Sequence, residues 1–191
     1  MDVGQAWGLH ATLPRSAANG PGLRYVIWVQ GCSLGCKGCF NPETHSSGVE
    51  RMAVSETVQD VLATPGIDGV TLTGGEPLEQ PDAVASFATS LRRSSDLSIV
   101  VLTGYTRQEV MQDSGMLRAA TACDVLVCGR YNEQQRVAKG LRGSRNKEYW
   151  FLTDRYGEAD FDQVPEAEFV IHLDGTVTAT GVDPILLGEM S

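Results

Sequence analysis

Residues 31–40 read Gly-Cys-Ser-Leu-Gly-Cys-Lys-Gly-Cys-Phe, and they directly follow the apolar run Leu23-Arg24-Tyr25-Val26-Ile27-Trp28-Val29-Gln30. The run is rich in β-branched and aromatic residues, which predicts a buried strand. The glycine- and cysteine-rich segment after it predicts a loop that extends to about Gly48. A strand that ends in a loop with three cysteines is the feature on which the predictions of fold and chemistry depend.

The three cysteines of this loop, Cys32, Cys36 and Cys39, form the pattern C-x3-C-x2-C. Thiolates are the usual ligands of iron–sulfur clusters, and three of them on a four-iron cluster leave one iron open to a small molecule. A structural zinc loop would need a fourth Cys or His, and the spacing of His45 fits common zinc patterns poorly. The triad favours a cluster, with a zinc loop and three incidental cysteines as the open alternatives.

Strands and helices alternate after the cysteine loop. Ser55 and Thr106 are predicted helix N-caps. Predicted helices cover about 55–64, 82–93, 106–111 and 116–120, and predicted strands cover 69–73, 97–102, 124–128 and 149–152. This alternation predicts parallel βα units, in which ligands bind at the carboxyl ends of the strands. The cysteine loop, Gly74-Gly75-Glu76-Pro77 and Thr103-Gly104-Tyr105 all follow strands, so we expect them to meet on one rim of a partial barrel.

The two ends of the chain carry weaker signals. Residues 1–22 contain scattered Gly, Pro and Ser and the turn signal Asn19-Gly20-Pro21-Gly22, and no strand or helix is predicted there. Residues 129–147 are polar and predict a loop. Residues 168–173 and 176–180 flank Asp174-Gly175, which predicts a β-hairpin.

Composition narrows the class of protein. The length of 191 residues and a hydrophobic fraction of 42% predict a single globular domain over 1–191. The net charge of −9 disfavours a nucleic-acid partner bound through phosphates. The sequence contains no run of eighteen apolar residues, so no membrane span is predicted. The N-terminus lacks the pattern of a signal peptide. We therefore expect a cytoplasmic protein without a membrane partner, whose reduced cysteines are available as metal ligands.

Together, the cysteine triad and the Gly-Gly-Glu-Pro turn resemble the radical S-adenosylmethionine superfamily. The resemblance implies an α/β partial (β/α)6 barrel and a [4Fe-4S] cluster held by Cys32, Cys36 and Cys39. It also implies that the free iron chelates S-adenosylmethionine, which is cleaved reductively to a 5′-deoxyadenosyl radical that abstracts a substrate hydrogen. The chain would then be an oxidoreductase that needs a one-electron donor such as flavodoxin or ferredoxin.

The same resemblance implies roles for residues that bind S-adenosylmethionine. Phe40 matches the aromatic position beside the adenine. Gly74, Gly75 and Glu76 match the turn that binds the methionyl ammonium. Tyr105, at a strand end, is expected either to touch the adenosine or to pack at the rim.

A more specific resemblance extends over about residues 19–150. It is to the activating enzymes of anaerobic (class III) ribonucleotide reductase, a family of glycyl-radical activating enzymes. The motifs that carry it are Asn19-Gly20-Pro21-Gly22-Leu23-Arg24, Gly31 to Thr44, Thr103-Gly104-Tyr105, Asp124-Val125-Leu126-Val127 and Leu141-Arg142-Gly143-Ser144-Arg145-Asn146. It implies a protein substrate with a glycyl-radical loop. Arg142 and Asn146 are candidate substrate contacts, with a solvated loop as the alternative.

The chain departs from that family pattern at three places. Cys128-Gly129-Arg130 replaces the usual Asp-Gly pair, Arg145 replaces a serine, and a C-terminal extension follows a core of about 19–152. An alternative function is therefore the modification of a peptide or small metabolite in a biosynthetic pathway, with residues 151–191 helping to build the substrate pocket. A cluster-binding module that has lost catalysis is a third alternative, against which the intact Glu76 and cysteines argue.

The remaining reactive side chains have simpler interpretations. We predict that Cys123 and Cys128 are small buried residues, with a redox thiol as the alternative. The histidines are expected at the surface or in satisfied positions, and the tryptophans in the core or a lid; they are His10, His45, His172, Trp7, Trp28 and Trp150. The acidic residues of 158–160 and 166–168 predict a solvated face.

Overall fold

The computed structural model describes residues 4–48, 51–171 and 173–182, over which strands and helices alternate. The strands are β1 (Ala6–Ser16), β2 (Arg24–Val29), β3 (Arg51–Ala53), β4 (Gly69–Gly74), β5 (Ser98–Leu102), β6 (Val125–Cys128), β7 (Arg136–Lys139), β8 (Arg142–Ser144), β9 (Glu148–Phe151), β10 (Ala167–Ile171) and β11 (Val177–Gly181). The helices are α1 (Val54–Leu62), α2 (Pro81–Ser94), α3 (Arg107–Gln112), α4 (Ser114–Thr121) and α5 (Glu158–Asp162).

Seven of these strands form one mixed sheet in the order β3-β1-β2-β4-β5-β6-β9. Neighbouring strands β2, β4, β5 and β6 are parallel, whereas β1 and β9 pair antiparallel with their neighbours at the two sides. Two separate hairpins consist of β7 with β8 and of β10 with β11. The predicted α/β class, its parallel βα units and the C-terminal hairpin are confirmed, and the parallel part contains four strands with antiparallel flanks.

The two faces of the sheet are covered by different parts of the chain. Side chains such as Ile27, Leu72 and Ile99 lie on one face and pack in the core that also contains the apolar residues of α1, α2 and α4. Because successive side chains of a strand alternate, Val100, Val125 and Val127 lie on the opposite face. There they pack with Phe161, Val164 and Val182 of the C-terminal extension. The extension therefore supplies the cover for the second face of the sheet.

A buried arginine organises the amino-terminal end of this second face. Arg24 is fully buried, and its guanidinium donates to Ser98 Oγ at 2.6 Å, to Val70 O at 2.6 Å and to Thr71 Oγ1 at 3.2 Å. The Tyr156 hydroxyl of the extension lies 3.3 Å from Nη1 of Arg24. Burial lowers the pKa of Arg24 to about 10, which still leaves the guanidinium charged at neutral pH.

The turn before β2 joins the same polar network. Thr71 Oγ1 donates to Asn19 O at 2.5 Å, and Asn19 Nδ2 donates to Ser16 Oγ and Thr180 Oγ1, each at 2.8 Å. Ser16 Oγ in turn donates to the carboxylate of Glu168 at 2.6 Å. The Asn-Gly-Pro-Gly-Leu-Arg segment thus connects β1, the parallel strands and the C-terminal hairpin through buried hydrogen bonds.

Several sequence predictions were wrong or incomplete. Strand β1 was missed in residues 1–22, because Pro14 and the exposed positions of this strand hide its periodicity. The hairpin β7–β8 occupies part of the predicted loop at 129–147, and α5 lies where only a solvated acidic face was predicted. Helix α1 begins at Val54 after Ala53, so Ser55 is not its N-cap. Thr106 does cap α3, in a reciprocal pair with Glu109.

In the part of the chain that the structure describes, no helix is both long and apolar enough to cross a bilayer.

Replacing Arg24 by alanine tests the importance of the buried network. Arg24→Ala removes the buried guanidinium that donates to Val70 O, Thr71 Oγ1 and Ser98 Oγ and opens a cavity, so we expect a loss of about 3 kcal/mol or more in unfolding free energy. Urea denaturation of the purified protein measures this. Arg93→Ala, at an exposed position of α2, is the matched control and is expected to change stability by less than about 0.5 kcal/mol. Equal losses in the two variants would contradict the role of Arg24.

Candidate functional site

A cavity of about 1170 Å³ lies where β2, β4 and β5 end, on the face that the C-terminal extension covers. It is lined by Cys32, Cys36, Cys39, Gly74, Gly75, Glu76, Thr103 and Gly104, and also by Thr178 to Val182 of the C-terminal hairpin. The predicted convergence of three strand-end turns on one rim is therefore confirmed. Typical small-molecule sites are roughly 300–1,000 Å³, so this cavity is at the large end of the range for a ligand site.

Backbone hydrogen bonds hold both ends of the cysteine loop. The Gly31 amide donates to Thr44 O at 2.8 Å, and the Cys32 amide donates to His45 O at 3.3 Å. Gln30 Nε2 donates to the carbonyl of Ser46 at 2.8 Å and so ties the end of the loop to β2. These contacts bring the first and last residues of the loop together.

A carboxylate that follows the Gly-Gly-Glu-Pro turn holds the cysteine loop beside its first cysteine. Glu79 Oε1 accepts hydrogen bonds from Ser33 N at 3.0 Å and from Ser33 Oγ at 2.7 Å. Ser33 directly follows Cys32, so Glu79 fixes the backbone beside the first thiol. Sequence reasoning missed this residue, although it lies only three positions after Glu76.

The three thiols are partly buried and face the cavity. Burial raises the pKa values of Cys32 and Cys39, and nearby carboxylates, Glu76 for Cys32 and Glu43 for Cys39, raise them further. A metal that binds these sulfurs therefore has to displace protons. Across the described ranges, no three side chains of the His, Cys, Asp or Glu type are gathered as a single metal ion would require. Three soft sulfur donors on one loop match the chemistry of an iron–sulfur cluster.

The glycines of the Gly-Gly-Glu-Pro turn allow it to pack closely on the cysteine loop. Gly74 has φ +98°, and a Cβ there would lie 2.7 Å from Trp28 Cα; a Cβ on Gly75 would lie 2.4 Å from Gly31 O. The Gly75 amide donates to Val29 O at 2.8 Å, and the Glu76 amide donates to Gly31 O at 2.9 Å. These two glycines are required by packing between the two turns, whatever they contact in a bound ligand.

Glu76 connects the Gly-Gly-Glu-Pro turn to the Thr103-Gly104-Tyr105 turn. Its side chain is 1% exposed, and its Oε1 accepts from Leu78 N and Thr103 Oγ1, both at 2.8 Å. Its Oε2 accepts from the Gly104 amide at 2.7 Å. Burial raises the pKa of this carboxyl to about 7, although these hydrogen bonds and the charge of Lys147 act in the opposite direction. Since a carboxylate has about four lone-pair sites, one further donor can still be accepted from the cavity.

Lys147 is a cavity-lining cation that sequence reasoning missed. Its Nζ donates to Thr103 O at 3.3 Å, and burial lowers its pKa, while the charges of Glu76 and of the Cys36 thiol group act to raise it. The sequence held only a weak signal, namely its position directly after Asn146. Its positive charge faces the cavity near Glu76 and the thiols of Cys36 and Cys39.

Phe40 lines the cavity as predicted, together with two neighbours that were not predicted. Its ring centroid is 4.6 Å from that of Tyr131, and the guanidinium carbon of Arg136 lies 5.2 Å from its centroid. Gly143 packs against the same ring, since a Cβ there would lie 2.5 Å from Phe40 Cε2. The segment with Arg142 and Asn146 thus reaches the cavity through Gly143 and Lys147.

Three predicted site residues are not brought to the cavity. Tyr105 packs against the core, with the guanidinium carbon of Arg130 5.3 Å from its ring centroid. Arg142 lies over the ring of Tyr149, with 5.0 Å between its Cζ and the ring centroid. Asn146 is exposed and donates from Nδ2 to Arg130 O at 2.9 Å. Tyr105 therefore matches the packing alternative and Asn146 the solvated-loop alternative, whereas Arg142 begins β8 and is stacked on Tyr149, which neither alternative described.

Of the other reactive residues, the two remaining cysteines, Trp7 and Trp150 are packed as predicted, whereas two histidines and Trp28 line the cavity. Cys123 and Cys128 are fully buried, and burial raises the pKa of each thiol to about 12. Trp7 is in the core, 5.1 Å from the ring of Phe87 between centroids. His10, His45 and Trp28 line the cavity, Trp150 packs against the core, and His172 lies outside the described residues.

The raised pKa of Glu76 predicts a pH dependence of stability. An exposed glutamate ionises near pH 4.5 and Glu76 near pH 7, so the folded protein without bound cofactors holds one more proton than the unfolded chain between these values. Unfolding free energy therefore falls as pH rises through this window, by an amount on the order of 3 kcal/mol.

Urea denaturation between pH 5 and pH 8 measures the unfolding free energy across this window. In Glu76→Gln the unfolding free energy should be lower at every pH, and its decrease with rising pH should be absent. Glu79→Gln is the control, because it should keep the fall. A pH profile that is the same in wild type and Glu76→Gln would show that Glu76 is not the group responsible.

Comparison with known proteins gives a consistent set of similarities. Residues 18–150 match the family model described as "4Fe-4S single cluster domain". The anaerobic ribonucleoside-triphosphate reductase-activating protein of Enterobacteria phage T4 is 31% identical over 147 residues, covering 74% of this chain and 92% of that protein. The protein of the same name from Pasteurella multocida (strain Pm70) is 34% identical over 146 residues, covering 70% of this chain and 90% of that protein.

Two further similarities cover less of the proteins compared. The pyruvate formate-lyase-activating enzyme of Staphylococcus aureus (strain USA300) is 42% identical over 79 residues, covering 38% of this chain and 32% of that enzyme. Among solved structures, QueE from Escherichia coli superposes with a TM-score of 0.46 at 15% identity, covering 53% of this chain and 54% of that one.

Proposed function

Because the chain belongs to the radical S-adenosylmethionine family that includes the anaerobic ribonucleoside-triphosphate reductase-activating proteins, we propose that it activates a glycyl-radical enzyme of that reductase type. The observation that carries the proposal is one cavity lined by three thiols and by the Gly-Gly-Glu-Pro turn. The reaction is the removal of a hydrogen atom from a glycine Cα of the protein substrate.

Cys32, Cys36 and Cys39 would hold the cluster. They are the thiols that reach the cavity, whereas Cys123 and Cys128 are fully buried. With a [4Fe-4S] cluster held there, one-electron reduction of S-adenosylmethionine to methionine and a 5′-deoxyadenosyl radical would be the chemistry supplied to the site. The partly buried position of the thiols and the contacts of Glu79 and Gln30 limit movement of the loop.

The remaining cavity residues would bind S-adenosylmethionine. Phe40 offers an aromatic face for the adenine, and Glu76 has capacity for one donor from the methionyl ammonium. Gly74 and Gly75 expose backbone on the same rim. Lys147 provides the positive charge that the carboxylate of the same ligand would meet. Tyr105, Arg142 and Asn146 lie beside this rim and would act only if the substrate complex brings them in.

The proposal extends to the setting of the reaction. A one-electron donor such as a flavodoxin or ferredoxin would reduce the cluster, and the protein would work in the cytoplasm, where thiols stay reduced. A net charge of −9 at pH 7 argues against a nucleic-acid partner.

A second candidate is the modification of a peptide or small metabolite. One observation favours it: residues of the C-terminal hairpin line the cavity, although they lie after the segment 18–150 that matches the family model. A wall specific to this chain could select a substrate that the relatives do not use.

The ligand assignment predicts the effect of single cysteine changes. Cys36→Ala should abolish both the iron–sulfur absorbance after anaerobic reconstitution and the formation of 5′-deoxyadenosine with dithionite. Cys123→Ala is the matched control and should retain both, because its thiol does not reach the cavity. Formation of 5′-deoxyadenosine by Cys36→Ala at the wild-type rate would show that the ligands are assigned incorrectly.

The substrate assignment predicts a radical on the partner protein. Incubation of the reconstituted enzyme with dithionite, S-adenosylmethionine and the anaerobic ribonucleotide reductase of the same organism should produce the electron paramagnetic resonance doublet of a glycyl radical. A reductase with the target glycine replaced by alanine is the control and should give no doublet. Rapid 5′-deoxyadenosine formation without a doublet would favour the second candidate.

A further inference from the structure

The C-terminal hairpin shows an unusual distribution of polar and apolar side chains. One face of the ribbon consists of Phe169, Ile171, Val177 and Ala179, in which Ile171 pairs with Val177 and Phe169 pairs with Ala179. All four are exposed, Ile171 to 77%. We call these residues the apolar ribbon face.

The opposite face of the ribbon is mostly polar and points to the body of the protein. Glu168 accepts from Ser16, and Thr180 is buried and accepts from Asn19. A hairpin that packs by its polar face and exposes its apolar one reverses the usual arrangement of an amphipathic sheet. Across the described residues, four of the seven exposed large apolar side chains lie in this hairpin: Phe169, Ile171, Leu173 and Val177. Such clustering marks an interaction surface.

The apolar ribbon face is continuous with the cavity. Residues 178–181 of β11 and the following Val182 line the cavity, and Ala179 belongs both to this lining and to the apolar ribbon face. A protein that brings a glycine Cα into the cavity has to lie across its rim. The substrate has to pass the cavity wall that β11 forms. This wall would be blocked if a second copy of the chain, or residues 183–191 of the same chain, covered the apolar ribbon face.

We propose that the apolar ribbon face is the docking surface for the protein substrate, which it contacts with a complementary apolar patch next to the glycine loop. The proposal rests on the proposed function, since it needs a protein as the substrate. The contact is of the small, transient kind, in which a few apolar side chains contribute most of the binding energy. It adds a second point of recognition outside the cavity.

The test is a kinetic comparison of the variant Phe169→Ser/Ile171→Ser with wild type. With the anaerobic ribonucleotide reductase of the same organism as the probe, we expect the KM for the reductase in glycyl-radical formation to rise by about tenfold or more. The maximal rate and the rate of 5′-deoxyadenosine formation without reductase should stay at wild-type values, which also shows that the variant is folded. Leu62→Ser/Met111→Ser removes two exposed apolar side chains from α1 and α3 and is the matched control.

Each outcome decides the proposal. A wild-type KM in the ribbon variant overturns it and leaves the proposed function intact. Absence of the glycyl radical with wild-type enzyme that cleaves S-adenosylmethionine overturns the proposed function, and the docking proposal with it. A wild-type dimer that dissociates in the variant assigns the face to a second copy. Hydrogen exchange in residues 183–191 that is slow in wild type and fast in the variant assigns it to the chain's own end; either result overturns the proposal.

Discussion

The site depends on the parallel register of β2, β4 and β5. Val29 is paired with Gly74, and Leu72 with Val101, so the three strands end close to one another. The turn that follows each strand is then within hydrogen-bond distance of the turn that follows the neighbouring strand. The amide of Glu76 binds Gly31 O, and the carboxylate of Glu76 binds the amide of Gly104. A change in register of one residue would move every side chain to the opposite face and break both contacts.

Much of this arrangement was predictable from local patterns. β2, β4 and β5 are short apolar runs with β-branched residues, and each is followed by glycine, so their existence and order follow from sequence alone. The convergence of the three turns follows from a general property of parallel sheets. The three cysteines were selected by their spacing, whereas Phe40 and the ligand role of Glu76 came from the family resemblance; all five residues line the cavity.

The parts that were not predicted depend on contacts between distant segments. Strand β1 is recognisable only by its pairing with β2 and β3, because its own residues alternate irregularly. Lys147 reaches the cavity because β9 pairs with β6 and brings the start of β9 beside Thr103. Arg142 and Asn146 were selected from the correct segment, but the direction of each side chain is set by partners, Tyr149 and the Arg130 carbonyl, that no spacing rule reveals.

The hydroxyl of Tyr156, 2.8 Å from Ser98 Oγ and 3.3 Å from Arg24, has a consequence for how the chain is made. During synthesis the ribosome releases β1, β2, β4 and β5 before Tyr156, Phe161 and Thr180 have been translated. The guanidinium of Arg24 and the valines of the second face then stay open to solvent until the segment from Tyr156 to Val182 has left the ribosome. Folding of the second face therefore waits for this segment, and nascent chains interrupted before it would expose the surface that chaperones recognise.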